Sequence, residues 1–265
     1  MTSTEATKNP KNIPSFITGN TVPNRIFTLY NHVNTVNTLK QLFFIAAFVL
    51  GISAAFAQKT FDNGTITYKM TTNAQDTQAG DVTMEADLVF HISEKEAKTN
   101  MTMNTMGVSV NMKSLINAEN RTGLVLMDVL GQKMAAKVTP SDYDDMIKKN
   151  KDFEVENVEP TAETKNILGY TCKKVIATTK KGTQLDVYYT DAIKPVSIDG
   201  LGNINMKGID GLPLEYHIQT PQASLIFKAT DIEEGGVKTS VFNYDIPEGY
   251  TEVPYKQLSQ MSQGM

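Results

Sequence analysis

Val82-Thr-Met-Glu-Ala-Asp-Leu-Val-Phe-His-Ile92 is the stretch that decides the fold. Val82, Met84, Ala86, Leu88, Phe90 and Ile92 are apolar, and Thr83, Glu85, Asp87 and His91 stand between them. Strict period two over this length makes a strand with one buried and one wet face. The same alternation extends outward on both sides. Ile66, Tyr68 and Met70 precede it, Ala97, Thr99, Met101 and Met103 follow on odd positions, and Val108, Val110, Met112, Ser114 and Ile116 run on even ones. Leu124–Leu130 is apolar at both parities, which predicts a strand covered on its second side. A hairpin turn at Gly131-Gln-Lys then leads to Met134, Ala136 and Val138. Pro140–Lys149 reads as a short helix, with Ser141 as N-cap, Asp144 in the capping-box position, and Tyr143, Met146 and Ile147 on one face. Val158–Lys165 reads as a polar connector. Strands resume at Tyr170–Thr178 and Leu185–Thr190, Asp191–Gly211 is loop-like, and Leu214–Gln219, Ser224–Ile232 and Val237–Tyr244 make a final meander. The pattern predicts many antiparallel strands interrupted by one or two helices, as a curved sheet wrapped around helices or a barrel.

Upstream, Leu39–Ala57 has a basic start at Lys40, an apolar core from Leu42 to Phe56, and small residues at Ala55 and Ala57. That is the pattern of a secretory signal peptide cut before Gln58, short for a comfortable membrane span; the alternative is a cytoplasmic tail with an uncleaved anchor. The organisation expected is a non-native or disordered leader over 1–38 from a mis-assigned start, a signal peptide over 39–57, one domain over 58–255 and a flexible polar tail over 256–265. The exported chain of about 200 residues suits a single domain. It is expected to be soluble, periplasmic or secreted, with no membrane span. The formal charge of −4 argues against a nucleic-acid partner, which calls for a basic stripe. Cys172 is the single cysteine, so no internal disulfide forms.

Motifs for chemistry are sparse. Two histidines, His91 and His217, follow the signal, and neither sits in a Gly-x-Ser-x-Gly, His-x-x-x-His or Cys-x-x-Cys context. Asp199-Gly-Leu-Gly-Asn-Ile-Asn205 lacks the third glycine of a dinucleotide loop. Cys172 reads as a small buried hydrophobe. The chain is therefore expected to be no enzyme and to need no cofactor. Methionine is the unusual feature. Met84, Met101, Met103 and Met112 line the apolar side of the alternating strands as core, or as the wall of a cavity adaptable to acyl chains. Met101, Met103 and Met106, with Met112, are alternatively a soft-metal site for copper.

Glu163-Thr-Lys-Asn-Ile-Leu-Gly-Tyr-Thr-Cys-Lys-Lys-Val-Ile-Ala177, Asp186-Val-Tyr-Tyr-Thr-Asp191 and Gly211-Leu-Pro-Leu-Glu215 form an ordered series. It resembles a family of uncharacterised exported bacterial proteins, a domain of unknown function, over about Gly64 to Pro254. Gly-Leu-Pro is also similar to the start of the GLPGLI family motif, though Leu214-Glu-Tyr replaces the rest. Such proteins look like distant relatives of the Lol-type lipoprotein carriers. That resemblance implies an incomplete antiparallel half-barrel with one or two short helices over its concave face, and an apolar cavity for acyl chains. The expected function is binding of an apolar small molecule, lipid or lipoprotein acyl chain, with envelope lipoproteins as partners. The expected wall is Met84, Leu88, Phe90, Met101, Met103, Val110 and Met112. A structural or protein-interaction module of the envelope is a further alternative.

Overall fold

The structure is a computed structural model that describes residues 59–263 apart from 77–79, 106–107, 152–153, 197, 199–205, 207 and 221–222. The expected leader over 1–38 and the expected signal peptide over 39–57 lie outside the described residues. Seven strands come first: β1 (Lys59–Phe61), β2 (Asn63–Asp76), β3 (Gly80–Ser93), β4 (Glu96–Thr105), β5 (Val108–Asn117), β6 (Thr122–Val129) and β7 (Gln132–Val138). Helix α1 (Pro140–Asn150) precedes β8 (Val155–Ile167), β9 (Tyr170–Thr179), β10 (Gln184–Thr190), β11 (Ile193–Pro195), β12 (Leu212–Gln219) and β13 (Ala223–Glu234). β14 (Thr251–Glu252) and helix α2 (Tyr255–Gln263) follow.

Twelve strands form one sheet in the order β14-β7-β6-β5-β4-β3-β2-β13-β12-β10-β9-β8. All its ladders are antiparallel except the short β14–β7 pair. β1 and β11 pair separately, in parallel. Among the described residues no ladder joins β14 to β8, so the sheet is open. Alternation predicts the antiparallel strands, and the family resemblance implies the unclosed sheet with one or two helices.

Residues directly opposite in an antiparallel pair share a face. The registers therefore assemble one continuous apolar face, the inner face. One row across it is Ala229, Tyr68, Leu88, Met101, Met112, Met127 and Met134. The next row is Phe227, Met70, Ala86, Met103, Val110 and Val129. The opposite face carries Lys69, Asp87, Thr102, Asn111, Asp128 and Lys133 at matching positions.

Separate elements cover different parts of the inner face. Over β2, β3 and β9–β13, the aromatic core of Tyr68, Phe90, Tyr216 and Phe227 is joined by Phe61, Ile193, Ile198, Met206 and Ile209. Tyr216 and Phe227 stack at 4.4 Å, and Tyr68 meets Phe90 edge-on at 5.8 Å. The buried Tyr68 hydroxyl donates to the Pro213 carbonyl at 2.6 Å, so its burial leaves no orphan donor. Over β5–β7, Tyr143 of α1 and Leu258 of α2 pack on Ile116, Val125, Met127, Ala136 and Val138.

Several local readings change. The N-cap of α1 is Thr139 with Asp142, not Ser141 with Asp144: Thr139 Oγ1 accepts from Asp142 N at 3.2 Å, and Thr139 N donates to Asp142 Oδ2 at 3.1 Å. Proline fits the first helical position, where its missing N–H costs nothing, and this moves the cap one residue upstream of Pro140. The segment after Tyr255 is helical rather than a polar tail, because Leu258 is 1% exposed against the sheet. Val158–Lys165 lies within β8, an edge strand with one partner, whose side chains need not alternate. Val237–Tyr244 is not a strand. It turns once through a 3-10 helix at Thr239–Val241, and Tyr244, Ile246 and Tyr250 then cover Leu115, Leu124, Leu126 and Ala135 on the outer face. This supplies the second cover that the doubly apolar β6 requires.

Two glycines separate steric from conformational need. A Cβ on Gly211 would lie 2.2 Å from the Thr190 carbonyl oxygen, whereas Gly169 has open space but φ +84°. Gly211→Ala is expected to lower unfolding stability by roughly 2–4 kcal/mol, in the range of steric overpacking and its backbone shifts. Gly169→Ala should cost only about 1–2 kcal/mol, the left-handed penalty. Urea denaturation measures both, and equal losses would contradict the close approach at Gly211.

Candidate functional site

The expected wall residues share the inner face. Leu88, Phe90 and Val110 are buried, while Met84, Met101, Met103 and Met112 are partly exposed. Register explains why they meet: Met101 faces Leu88 on one side and Met112 on the other, and Met103 faces Ala86 and Val110. Met84 stands opposite Thr72, two residues from Ala86. Phe90 is part of the aromatic core rather than the partly exposed strip.

The boundary between the two inner clusters runs along β4 and β5. Met70, Met101 and Met103 pack against the β2/β3/β9–β13 cluster, and Met112, Val129 and Met134 pack against the helix-covered one. Along this boundary, or seam, Met101, Met103 and Met112 are partly exposed. The charged side chains of these strands lie on the opposite face, so the seam offers apolar, polarisable surface with little local field. Unbranched thioethers change rotamer readily, and such a surface adapts to varied guests. Met106, the third residue of the expected metal alternative, lies outside the described residues. A groove of about 580 Å³ elsewhere, with Lys137, Asp142, Glu252 and Tyr255 in its walls, does not touch the seam.

The histidines stay apart. His91 is level with Thr65 on β2, and His217 reaches Thr71 of that strand through Ile226. Six residues of strand separate those levels by about 20 Å. His91 Nδ1 lies 3.0 Å from Thr65 Oγ1, and burial, with Lys98 secondarily, lowers its pKa. Cys172 is fully buried, its Sγ donates to the Tyr170 carbonyl at 3.6 Å, and burial pushes its thiol up to about 11. A thiol in that state is a packing group, not a nucleophile. Among the described residues, no group of three or more His, Cys, Asp or Glu side chains is placed to hold a metal ion.

Sequence reasoning missed a polar cluster that crosses β8, β9, β10 and β12. Glu215, 5% exposed, accepts from Lys165 Nζ at 2.6 and 2.7 Å and lies 3.2 Å from His217 Nε2. The same Lys165 sits 5.2 Å from the centre of the Tyr188 ring, whose hydroxyl donates to Glu163 at 3.1 Å. Lys174 bridges Glu163 and Asp186 at 3.3 and 3.1 Å. The register shift between Pro160 and Thr164 sets Glu163 beside this group. Its signal was already present, because Lys165, Lys174, Tyr188 and Glu215 all belong to the three ordered motif elements. Every charge in it is paired within the chain, and it ties edge strand β8 to β12.

The Domain of unknown function (DUF4412) family model matches residues 64–198, half of the chain. The chain belongs to this family. The match includes the 163–177 and 186–191 elements, while Gly211-Leu-Pro213 lies beyond it. No curated protein matches the chain. Among solved structures, the DUF4412 chain is similar to PNGF-II at 16% identity and TM-score 0.36, over 74% of this chain but only 32% of that protein. It is similar to the lipoprotein LppX of Mycobacterium tuberculosis at 11% identity and TM-score 0.36, over 69% of this chain and 90% of that one. A LolA superfamily protein from Nitrosomonas europaea matches at 11% identity and TM-score 0.31, over 71% of this chain and 94% of its own. Among the described residues no helix is long and apolar enough to cross a membrane.

The state of Cys172 yields a direct check. At pH 8 its thiolate fraction is small, because its pKa of about 11 is well above that pH, and the sulfur is sealed. Iodoacetamide should leave the native protein unmodified and label one site once urea unfolds it, with raising the pH toward 9 changing little. Rapid labelling of the native chain, read by mass spectrometry, would contradict this burial.

Proposed function

We propose that this DUF4412 chain is a non-enzymatic binding protein for a hydrophobic ligand, a lipid or lipoprotein acyl chain, that lies along the methionine seam. The proposal includes export on the 39–57 signal, action in the periplasm, and Gln58 as mature N-terminus. Met84, Met101, Met103 and Met112 form the adaptable wall, with Leu88, Phe90 and Val110 as its rigid backing. One observation carries the reading: the inner face is closed by the aromatic core on one side and by α1 and α2 on the other, and it is left partly exposed at Met101, Met103 and Met112. A sheet that needed these side chains only as core filling would have covered them. An acyl chain needs no polar partner there, and burying each of its CH₂ groups contributes about 0.8 kcal/mol.

Native mass spectrometry of the protein purified gently from its own envelope tests this. A co-purifying lipid-sized mass is expected, and it should disappear when Met101 and Met103 are both replaced by the bulkier, stiffer Phe. A bare chain mass across several gentle preparations, or a lipid adduct indifferent to the two Phe substitutions, would count against the reading.

A further inference from the structure

We propose that Met101, Met103 and Met112 form a binding site for a cuprous ion on the seam between β4 and β5. The registers place Met101 directly opposite Met112, and Met103 is two residues along the same strand on the same face. Directly opposed residues have Cβ atoms about 5 Å apart, and diagonal neighbours such as Met103 and Met112 are about 7–8 Å apart. Three unbranched side chains at that spacing can converge their sulfurs on one ion without moving the backbone. All three are partly exposed, so an ion can enter from solvent. Met84, diagonal to Met103 through Ala86, stands next to the triad as a further thioether.

Ligand type selects the metal. Thioether sulfur is soft and neutral, and it suits Cu(I) rather than zinc, calcium or magnesium, which call for thiolate, imidazole or carboxylate. The described residues hold no cluster of those harder ligands to compete. A thioether also has no proton to lose. Metal affinity at thiolate or imidazole sites rises with pH as the ligand deprotonates. Affinity at this site should stay flat between pH 5 and 8. The site bridges strands that belong to different core clusters, so the ion would join the two sides of the seam. It does not depend on the seam also binding an apolar guest.

The test is anaerobic titration of the purified protein with Cu(I) alone against the chromophoric chelator bicinchoninate. One Cu(I) per chain is expected, with equal affinity at pH 5 and pH 8. Replacing Met101 and Met112 with Leu together should weaken binding at least tenfold. Leu keeps volume and apolarity, so the fold should survive. Cys172→Ala should bind Cu(I) as the parent does. Met103→Leu, with X-ray absorption of the loaded parent showing sulfur neighbours alone, gives an independent reading if the double variant folds poorly. Absence of stoichiometric binding, parental affinity in the Leu variants, or loss of binding in Cys172→Ala would overturn the proposal.

Discussion

The structure depends on keeping one register across β2 to β7. Side chains in a strand alternate with a period of two, so a slip of one residue would exchange the inner and outer faces. Here Tyr68, Leu88, Met101, Met112, Met127 and Met134 stay aligned over six strands without a bulge in the ladders between them. That alignment concentrates apolar surface on one side of an open sheet. Such a sheet cannot cover its own face, and everything else in the fold responds to that demand. β13 and β12 bring Phe227 and Tyr216 to the aromatic core, Ile193, Ile198, Met206 and Ile209 join it, and the two helices close the β5–β7 end.

Where the covers meet, Met101, Met103 and Met112 are partly exposed. Leucine or isoleucine would serve equally well as core. Methionine at the opposed positions of β4 and β5 leaves a soft, mobile and charge-free strip instead. The polar cluster around Glu215 does opposite work. It has a buried carboxylate, and leaving that charge unpaired would be costly, so Lys165 of edge strand β8 pairs with Glu215 of β12, with His217 of the same strand beside it. The motif elements of the DUF4412 sequence thus converge mainly on this architectural clasp, whereas the seam lies on strands with no such signature.

Much of this was legible before the structure. Period two in Val82–Ile92 and its neighbours predicted the strands, their faces and the antiparallel class, because one wet and one dry side leave a direct imprint on residue type. The methionines were placed on the correct side for the same reason. Edge strand β8 was not legible, since a strand with a single partner has no dry face to enforce alternation. The helix over Tyr255–Gln263 was hidden because one buried residue, Leu258, carries much of its docking. Val237–Tyr244, the first part of the irregular cover, was read as a strand, since Val237, Val241 and Tyr244 show apolarity without showing which surface they meet. Register across strands is a tertiary property, and so the pairing of Met101 with Met112 rather than with Met106 required the structure.

The central claim is that the seam, and not the buried core beside it, meets the ligand. Methyl NMR on protein carrying ¹³C-methyl methionine addresses this residue by residue. On titration with a medium-chain fatty acid below its micelle concentration, the methyl signals of Met101, Met103 and Met112 should shift together and saturate. Met127, 1% exposed beneath the helices, should hold its position. Unmoved seam signals, or shifts confined to methionines elsewhere, would contradict the account.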